Sequence, residues 1–340
     1  MRVAVIGAGL IGKERIKSIK YIHDNINTNV ELCSIYEPNE AAISKLEEAD
    51  RKLVCSNVAE ALAQKPDWVF VCTPHDVVIP IIKNAFENGA NVLVEKPLGR
   101  SLQECEAILE NKPANRNLYV GFNYRFFDGV EAALLDCKNG KFGKLISVNM
   151  ILGHGNSPGM EKSWKLNLEK CGGGCLIDPG VHLLDLLLQI SNGELKIEGA
   201  KSWSGFWNTG IEEETHFIFS DTNKTIFNVQ ISLNRWKSTF RIEINGSEGY
   251  GIVEGRGKSY GGQSYRTGKR WGWQAGCSQA ASEEIVIKDS DVEQSFTKEI
   301  LSIFGIQENI PTTLKSPSYT CSDVEASNVM KLLEKCREKL

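Results

Sequence analysis

Short β-branched runs alternate with segments of helical spacing through the first third of the chain. The runs Val3 to Ile6, Leu32 to Tyr36, Trp68 to Cys72, Val92 to Val94 and Leu118 to Val120 have the composition of strands. Between them Ile11 to Ile22, Ala41 to Ala49, Val77 to Asn88 and Leu102 to Leu109 space their apolar residues for one helix face, and Gly89 stands where a helix C-cap belongs. Alternation of this kind predicts a parallel sheet.

After Tyr124 the pattern changes. A helix is predicted from about Val130 to Cys137 and a strand from Leu145 to Leu152, followed by a loop rich in Gly, Asn and Pro and by an apolar helix after Asp178. Alternating segments at Leu195 to Phe206, Thr215 to Phe219, Ile226 to Leu233 and Phe240 to Asn245, separated by Asp-Thr-Asn and Asn-Gly turn signals, predict an antiparallel sheet. Ser322 and Glu325 are spaced as a capping box ahead of a terminal helix carrying Val329, Leu332 and Leu333. The stretch Gly255 to Gly276 reads as an irregular functional loop.

At 340 residues the chain exceeds what one hydrophobic core usually serves, so two domains are expected. Its 39 Lys and Arg against 43 Asp and Glu give a net charge of -4, too mild to point to nucleic acid. No apolar run approaches the roughly 18 residues of a membrane helix, and Met1 leads directly into a strand, so the expectation is a soluble, cytoplasmic protein. Ten cysteines are scattered along the chain, and several, such as Cys33 and Cys72, lie in apolar segments, as in a reducing compartment. Cys171 and Cys175 flank three glycines, a poor zinc spacing with no second ligand pair, and no metal is expected.

Gly7-Ala8-Gly9-Leu10-Ile11-Gly12 follows a strand and opens a helix, the context in which a glycine-rich turn brings backbone amides and a helix N-terminus to a pyrophosphate. Glu37, 25 residues after Gly12, ends the second strand where an acid accepts both ribose hydroxyls and repels a 2′-phosphate, favouring NAD over NADP. Lys96, after Glu95 and before Pro97, sits at the carboxyl end of a parallel strand, where ligands of such sheets lie. Asp178 and His182, four residues apart at the mouth of the apolar helix, are spaced to share one helix face and are the candidate proton-handling pair.

In their order, Gly7 to Gly12, Cys72-Thr73-Pro74, Glu95-Lys96-Pro97, Gly121-Phe122-Asn123-Tyr124-Arg125 and Gly173 through Asp178 and His182 to Asp185 make the chain resemble the glucose-fructose oxidoreductase / inositol dehydrogenase / rhizopine-catabolism (Gfo/Idh/MocA) family. The resemblance implies an α/β protein: an N-terminal NAD(P)-binding Rossmann domain over residues 1–122, and over 123–340 a substrate-binding and oligomerisation domain with a large, mainly antiparallel open sheet. It implies hydride transfer between NAD(P) and a sugar or cyclitol carbon, and a Lys-Pro bond that is frequently cis. Matched by position, Lys96 corresponds to the lysine beside the nicotinamide, Asp178 to the helix aspartate and His182 to the acid/base histidine. Thr73, Pro74, His75 and Glu95 fall among the expected cofactor contacts. His75 and Val78 depart from the family's Asn and His.

On this reading His182 takes the proton of a ring hydroxyl, Lys96 stabilises the developing alkoxide, and Asp178 orients the histidine or the substrate. Trp164 and Lys165 are expected at the sugar pocket, and Asn123, Tyr124 and Arg125 are expected to line the junction between the domains. From Gly255 to Ser282 there is no Asp or Glu, whereas Arg256, Lys258, Arg266, Lys269 and Arg270 interleave with Tyr260, Tyr265, Trp271 and Trp273. Two readings stay open for that segment: a reader of a nucleotide-activated sugar through Arg266 and Arg270, or a subunit contact. A free-sugar or inositol dehydrogenase and a non-catalytic sugar sensor are the alternatives in function, and a homo-oligomer, dimer or tetramer, would cover the open sheet.

Overall fold

Residues 2–123 build a parallel sheet whose central strands have no polar face. The first, β1 (Arg2–Ile6), buries Val3, Ala4, Val5 and Ile6 completely, as a strand covered by helices on both sides must. There follow α1 (Leu10–Asn25), β2 (Glu31–Tyr36), α2 (Glu40–Ile43), α3 (Glu48–Arg51), β3 (Val54–Cys55), α4 (Val58–Ala63), β4 (Trp68–Val71), α5 (Val78–Glu87), β5 (Asn91–Glu95), α6 (Leu102–Glu110) and β6 (Leu118–Gly121). The strands lie in the order β6-β5-β4-β1-β2-β3 and pair in parallel, so the chain reverses direction across the sheet between β1 and β4. That is a Rossmann sheet, with its ligand crevice expected at the carboxyl ends of β1 and β4. Gly89, at φ +79° just past α5, donates its N–H to Phe86 O and closes that helix as its spacing predicts.

One helix departs from the sequence pattern. Ala41 to Ala49 is not a single helix but the two short turns α2 and α3, because Ser44 Oγ donates back to Ala41 O at 3.1 Å, Leu46 turns into the core and Glu47 is extended.

The next stretch comprises α7 (Asp128–Lys138), β7 (Leu145–Gly153), α8 (Leu168–Cys171), α9 (Val181–Ile190), β8 (Lys196–Trp203), β9 (Glu214–Ser220), β10 (Ile226–Ser232), β11 (Thr239–Gly246), β12 (Gly249–Glu254), β13 (Gln263–Lys269) and β14 (Glu284–Ser290). Its eight strands run β14-β13-β12-β11-β7-β10-β9-β8, antiparallel except for the β7–β10 pair. One face is buried: Val148, Met150, Leu152, Phe217, Phe219, Phe227, Val229, Ile242 and Ile244 alternate with polar or exposed neighbours. Helix α7 lies on β12, β13 and β14, and α9 on β7. The segment read as an irregular loop after Gly255 holds β13, since Gln263, Tyr265 and Thr267 alternate inward and pair with β12.

The chain then returns through α10 (Gln294–Ile303), β15 (Cys321–Ser322) and α11 (Asp323–Arg337), with β15 antiparallel on the edge strand β6. The computed structural model describes residues 1–26, 28–271, 283–290, 292–317 and 319–340, so Trp273 and the end of the predicted loop lie outside the described residues. The chain divides into Met1–Asn123 with Glu293–Lys331 and Tyr124–Val292 with Leu332–Leu340. A single cut after residue 122 therefore misplaces 293–331, which belongs to the Rossmann unit. The cause is packing: α10 lies along α1, and Arg15 of α1, fully buried, has Nη2 2.7 Å from Glu95 Oε1 and 2.6 Å from Glu299 Oε2 of α10. Burial opposes that charge, and Glu299 and Glu95 more than reverse the effect, so the guanidinium is held firmly ionised.

Candidate functional site

In the Rossmann unit the glycine-rich turn divides its glycines by purpose. A Cβ on Gly12 would lie 1.9 Å from Gly7 O, so α1 can approach the turn only without a side chain there. A Cβ on Gly9 would meet nothing within 4 Å. The chain's own packing requires Gly12 and leaves the face of Gly9 open. Leu10 is exposed and Ile11 half-buried at the start of α1. Glu37 accepts the N–H of Ala8 at 2.7 Å and that of Asn39 at 2.9 Å, which fixes its carboxylate against the turn. At the end of β4, Thr73 Oγ1 is buried with no hydrogen-bond partner among the described residues.

An open glycine face at a helix N-terminus, an anchored carboxylate and an unused hydroxyl fit a dinucleotide's pyrophosphate and ribose. Pro74 is half-buried, and His75 is buried in the single 3-10 turn His75–Val77. Glu95, expected at the cofactor, instead spends Oε1 on Arg15, whose Nε donates to it at 2.8 Å. Lys96 is half-buried at the carboxyl end of β5, and the Lys96–Pro97 bond is cis as the resemblance implies. Asn123 is buried and donates to Ser295 Oγ at 3.1 Å.

The second unit assembles its own cluster. Asp178 does not lie on a helix: α9 starts at Val181, and the cis Asp178–Pro179 bond belongs to the turn before it. Gly174 lets that turn lie against the backbone of Glu212, where any Cβ would come 1.9 Å from Glu212 O. Asp178 Oδ2 meets Lys165 Nζ at 2.8 Å, and this carboxylate raises the Lys165 pKa against the opposing effect of burial. His182, in the first turn of α9 and 4% exposed, stacks flat on Tyr124 with ring centroids 3.6 Å apart and planes within 4°. Tyr124 in turn stacks on Phe127 and accepts a hydrogen bond from Arg256 Nη1, and burial pushes its phenol well above the ordinary pKa.

Arg125, expected among the substrate contacts, is committed elsewhere. It is 1% exposed, and its Nε and Nη2 fork reaches Asp185 at 2.9 and 2.5 Å. The pair ties the segment carrying Tyr124 to the helix carrying His182. Arg266 lies on β13, donating to Glu254 Oε2 at 3.3 Å with Glu283 at 3.8 Å, and Arg270 Nη1 donates to the carbonyls of Gly246 and Ser247 at 3.4 Å. Neighbouring strands thus supply both side chains with the acids and carbonyls that their own segment lacks.

Arg256 and Tyr260 of the same basic, aromatic segment do reach the His182 cluster: the guanidinium lies 4.2 Å from the Tyr260 ring centroid and 5.1 Å from that of Tyr124. Trp164 is half-buried beside Lys165, 6.0 Å from ring centroid to Nζ. His154, which has no signal in the sequence, meets Tyr260 edge-on at 6.5 Å. No group of three or more His, Cys, Asp or Glu among the described residues could hold a metal ion, and no helix among them is long and apolar enough to cross a membrane.

Residues 1–122 match the family model described as an oxidoreductase family with an NAD-binding Rossmann fold, and residues 136–251 match a GFO/IDH/MocA C-terminal domain. An inositol 2-dehydrogenase of Corynebacterium glutamicum is 25% identical over 240 residues, 69% of this chain and 67% of that protein. A levoglucosan dehydrogenase solved with NADH superposes with a TM-score of 0.80 at 18% identity, covering 100% of this chain and 96% of the other. A UDP-N-acetylglucosamine 3-dehydrogenase from Acidithiobacillus ferrooxidans gives 0.74 at 19%, covering 100% and 97%. The likeness to both structures is one of fold.

Proposed function

Since the chain belongs to the Gfo/Idh/MocA family of oxidoreductases and carries that family's NAD-binding Rossmann domain, we propose that it is a dehydrogenase passing hydride between NAD and a hydroxyl or keto carbon of a sugar. The observation that carries the reading is the His182–Tyr124 stack beside the Lys165–Asp178 pair: a nearly buried imidazole, held in plane, next to polar groups able to orient a hydroxyl. Bound NAD supplies the hydride acceptor for the carbinol carbon.

The protein's own groups handle the rest. An imidazole nitrogen of His182 takes the hydroxyl proton, and stacking on Tyr124 limits the ring to small rotations. Asp178, tied to Lys165, accepts a neighbouring hydroxyl and fixes which carbon is presented. The N-terminus of the ten-residue helix α9 favours negative charge as the alkoxide develops. Lys96 is assigned the cationic role toward that same oxygen. Glu37 selects NAD by accepting the ribose diol.

Arg266 and Arg270 are occupied within the sheet, which favours a sugar without a nucleotide over a nucleotide-activated one. A homo-oligomer built on the open face of the eight-stranded sheet is part of the same reading. The test is incubation with NAD and a panel of free sugars, inositols and nucleotide sugars while nicotinamide absorbance is followed. Reduction with at least one sugar is expected. NAD binding without turnover on any of them would replace the dehydrogenase by a sensor.

A further inference from the structure

We propose that the sugar carries an ionised acid group, a carboxylate or a phosphate, and that Arg256 is the residue that reads it. The inference rests on the sugar-dehydrogenase reading above and deepens it.

Arg256 lies two residues past the end of β12 and differs from three other half-buried or buried arginines of its unit. Arg125, Arg241 and Arg266 each face a carboxylate. Arg256 faces none among the described residues. Its guanidinium is held between the rings of Tyr260 and Tyr124, one nitrogen donates to Tyr124 OH, and its buried Nε has no hydrogen-bond partner among the described residues. Lys165 lies near enough for the two cations to repel, and the carboxylate of Asp178 is tied to Lys165 at 2.8 Å. Among the described residues, the cluster around His182 therefore sets two cations, Lys165 and Arg256, against the one carboxylate of Asp178.

Holding Tyr124 in place would need only a neutral donor. A half-buried guanidinium whose buried Nε lacks an acceptor among the described residues gains from meeting an anion. A planar fork fixed between two rings and short of an acceptor is organised for the paired oxygens of a carboxylate or phosphate. Because the same guanidinium touches Tyr124, and Tyr124 touches His182, that anion and the reacting hydroxyl belong to one small molecule.

Matched sets decide the question: glucose, galactose, mannose and N-acetylglucosamine, each compared with its uronate, its 6-phosphate and its UDP ester. Two quantities are measured, kcat/KM with NAD and calorimetric affinity in the presence of NADH, where no turnover occurs. We expect a preference of about tenfold or more for the uronate or the 6-phosphate over the parent sugar in both, equivalent to roughly 1.4 kcal/mol. Whichever of the two is preferred names the group. R256Q is expected to cut the ratio to about twofold or less and R256K to retain part of it, since Lys keeps the charge without the fork; melting temperatures check that both variants fold.

Parent sugars handled as well as the acids, or a preference confined to the UDP esters, would overturn the proposal even in wild-type protein. If no sugar reduces NAD, the dehydrogenase reading fails by itself, and the calorimetric ratio still decides whether an acid group is read.

Discussion

His182 stacks on Tyr124 where a buried ion pair ties their two segments together. Arg125 and Asp185 form a buried fork, and because Arg125 follows Tyr124 while Asp185 lies one turn after His182, their bond sets the two rings face to face. Replacing His182 by Ala removes the proton acceptor, so kcat should fall by about 10²- to 10⁴-fold while NAD affinity, measured by fluorescence titration, stays nearly unchanged. Turnover at the wild-type rate would take His182 out of the mechanism. Asp185→Ala leaves Arg125 buried without a counter-charge and should cost about 3–5 kcal/mol of stability in urea unfolding. A loss below about 1 kcal/mol, the scale of an exposed pair, would mean that the fork is not the tie described. Asp178, His182 and Lys165 could be singled out in sequence because a short motif and its flanks carry them, though the turn that takes Asp178 off the helix could not. The Arg125–Asp185 pair was not, since an ion pair spanning 60 residues leaves no periodicity in sequence.

Elements were legible where one face repeats and obscure where a partner strand decides. β1 with α1 could be read from apolar spacing and glycines, whereas β13 looked like a loop because its alternation is carried by Gln263, Tyr265 and Thr267, buried under α7 only once the sheet exists. The same segment misled on charge, for Glu254 and Glu283, which pair with Arg266, lie just outside the acid-free window. At the β1–α1 turn the two glycines should separate experimentally. Gly9→Ala meets no atom of the protein within 4 Å, so it should melt with the wild type yet bind NAD at least about tenfold more weakly, the Cβ occupying space meant for the pyrophosphate. Gly12→Ala places a Cβ 1.9 Å from Gly7 O and should lower the melting temperature itself. Equal melting of both variants, or undiminished NAD affinity in Gly9→Ala, would contradict that division of roles.

For the whole molecule, the sequence indicated two domains from length alone but not that residues 293–331 return to the first, because α10 is drawn back by a buried Glu299 whose partner Arg15 lies nearly 300 residues earlier. The unfinished surface is the second sheet's other face. Helices α7 and α9 cover one side, while Ile151, Ile218, Ile226, Asn149, Asn228 and Gln230 point to the opposite side, with Ile218 and Ile226 nearly half exposed. A groove of about 490 Å³ runs across that side between Arg241 and His216. A broad face mixing isoleucine with amide side chains suits a second copy of itself, since burying each Ile contributes about 1.5–3 kcal/mol and the amides can pair across a two-fold axis. Light scattering at micromolar concentration should therefore give a dimer or tetramer. Ile218→Glu combined with Ile226→Glu, on adjacent strands, would set charges from both copies against each other in a dry contact and should shift the mass to the monomer while leaving far-ultraviolet circular dichroism and NAD affinity as they were. A wild-type protein already monomeric, or a double variant that keeps its mass, would rule out this face as the contact.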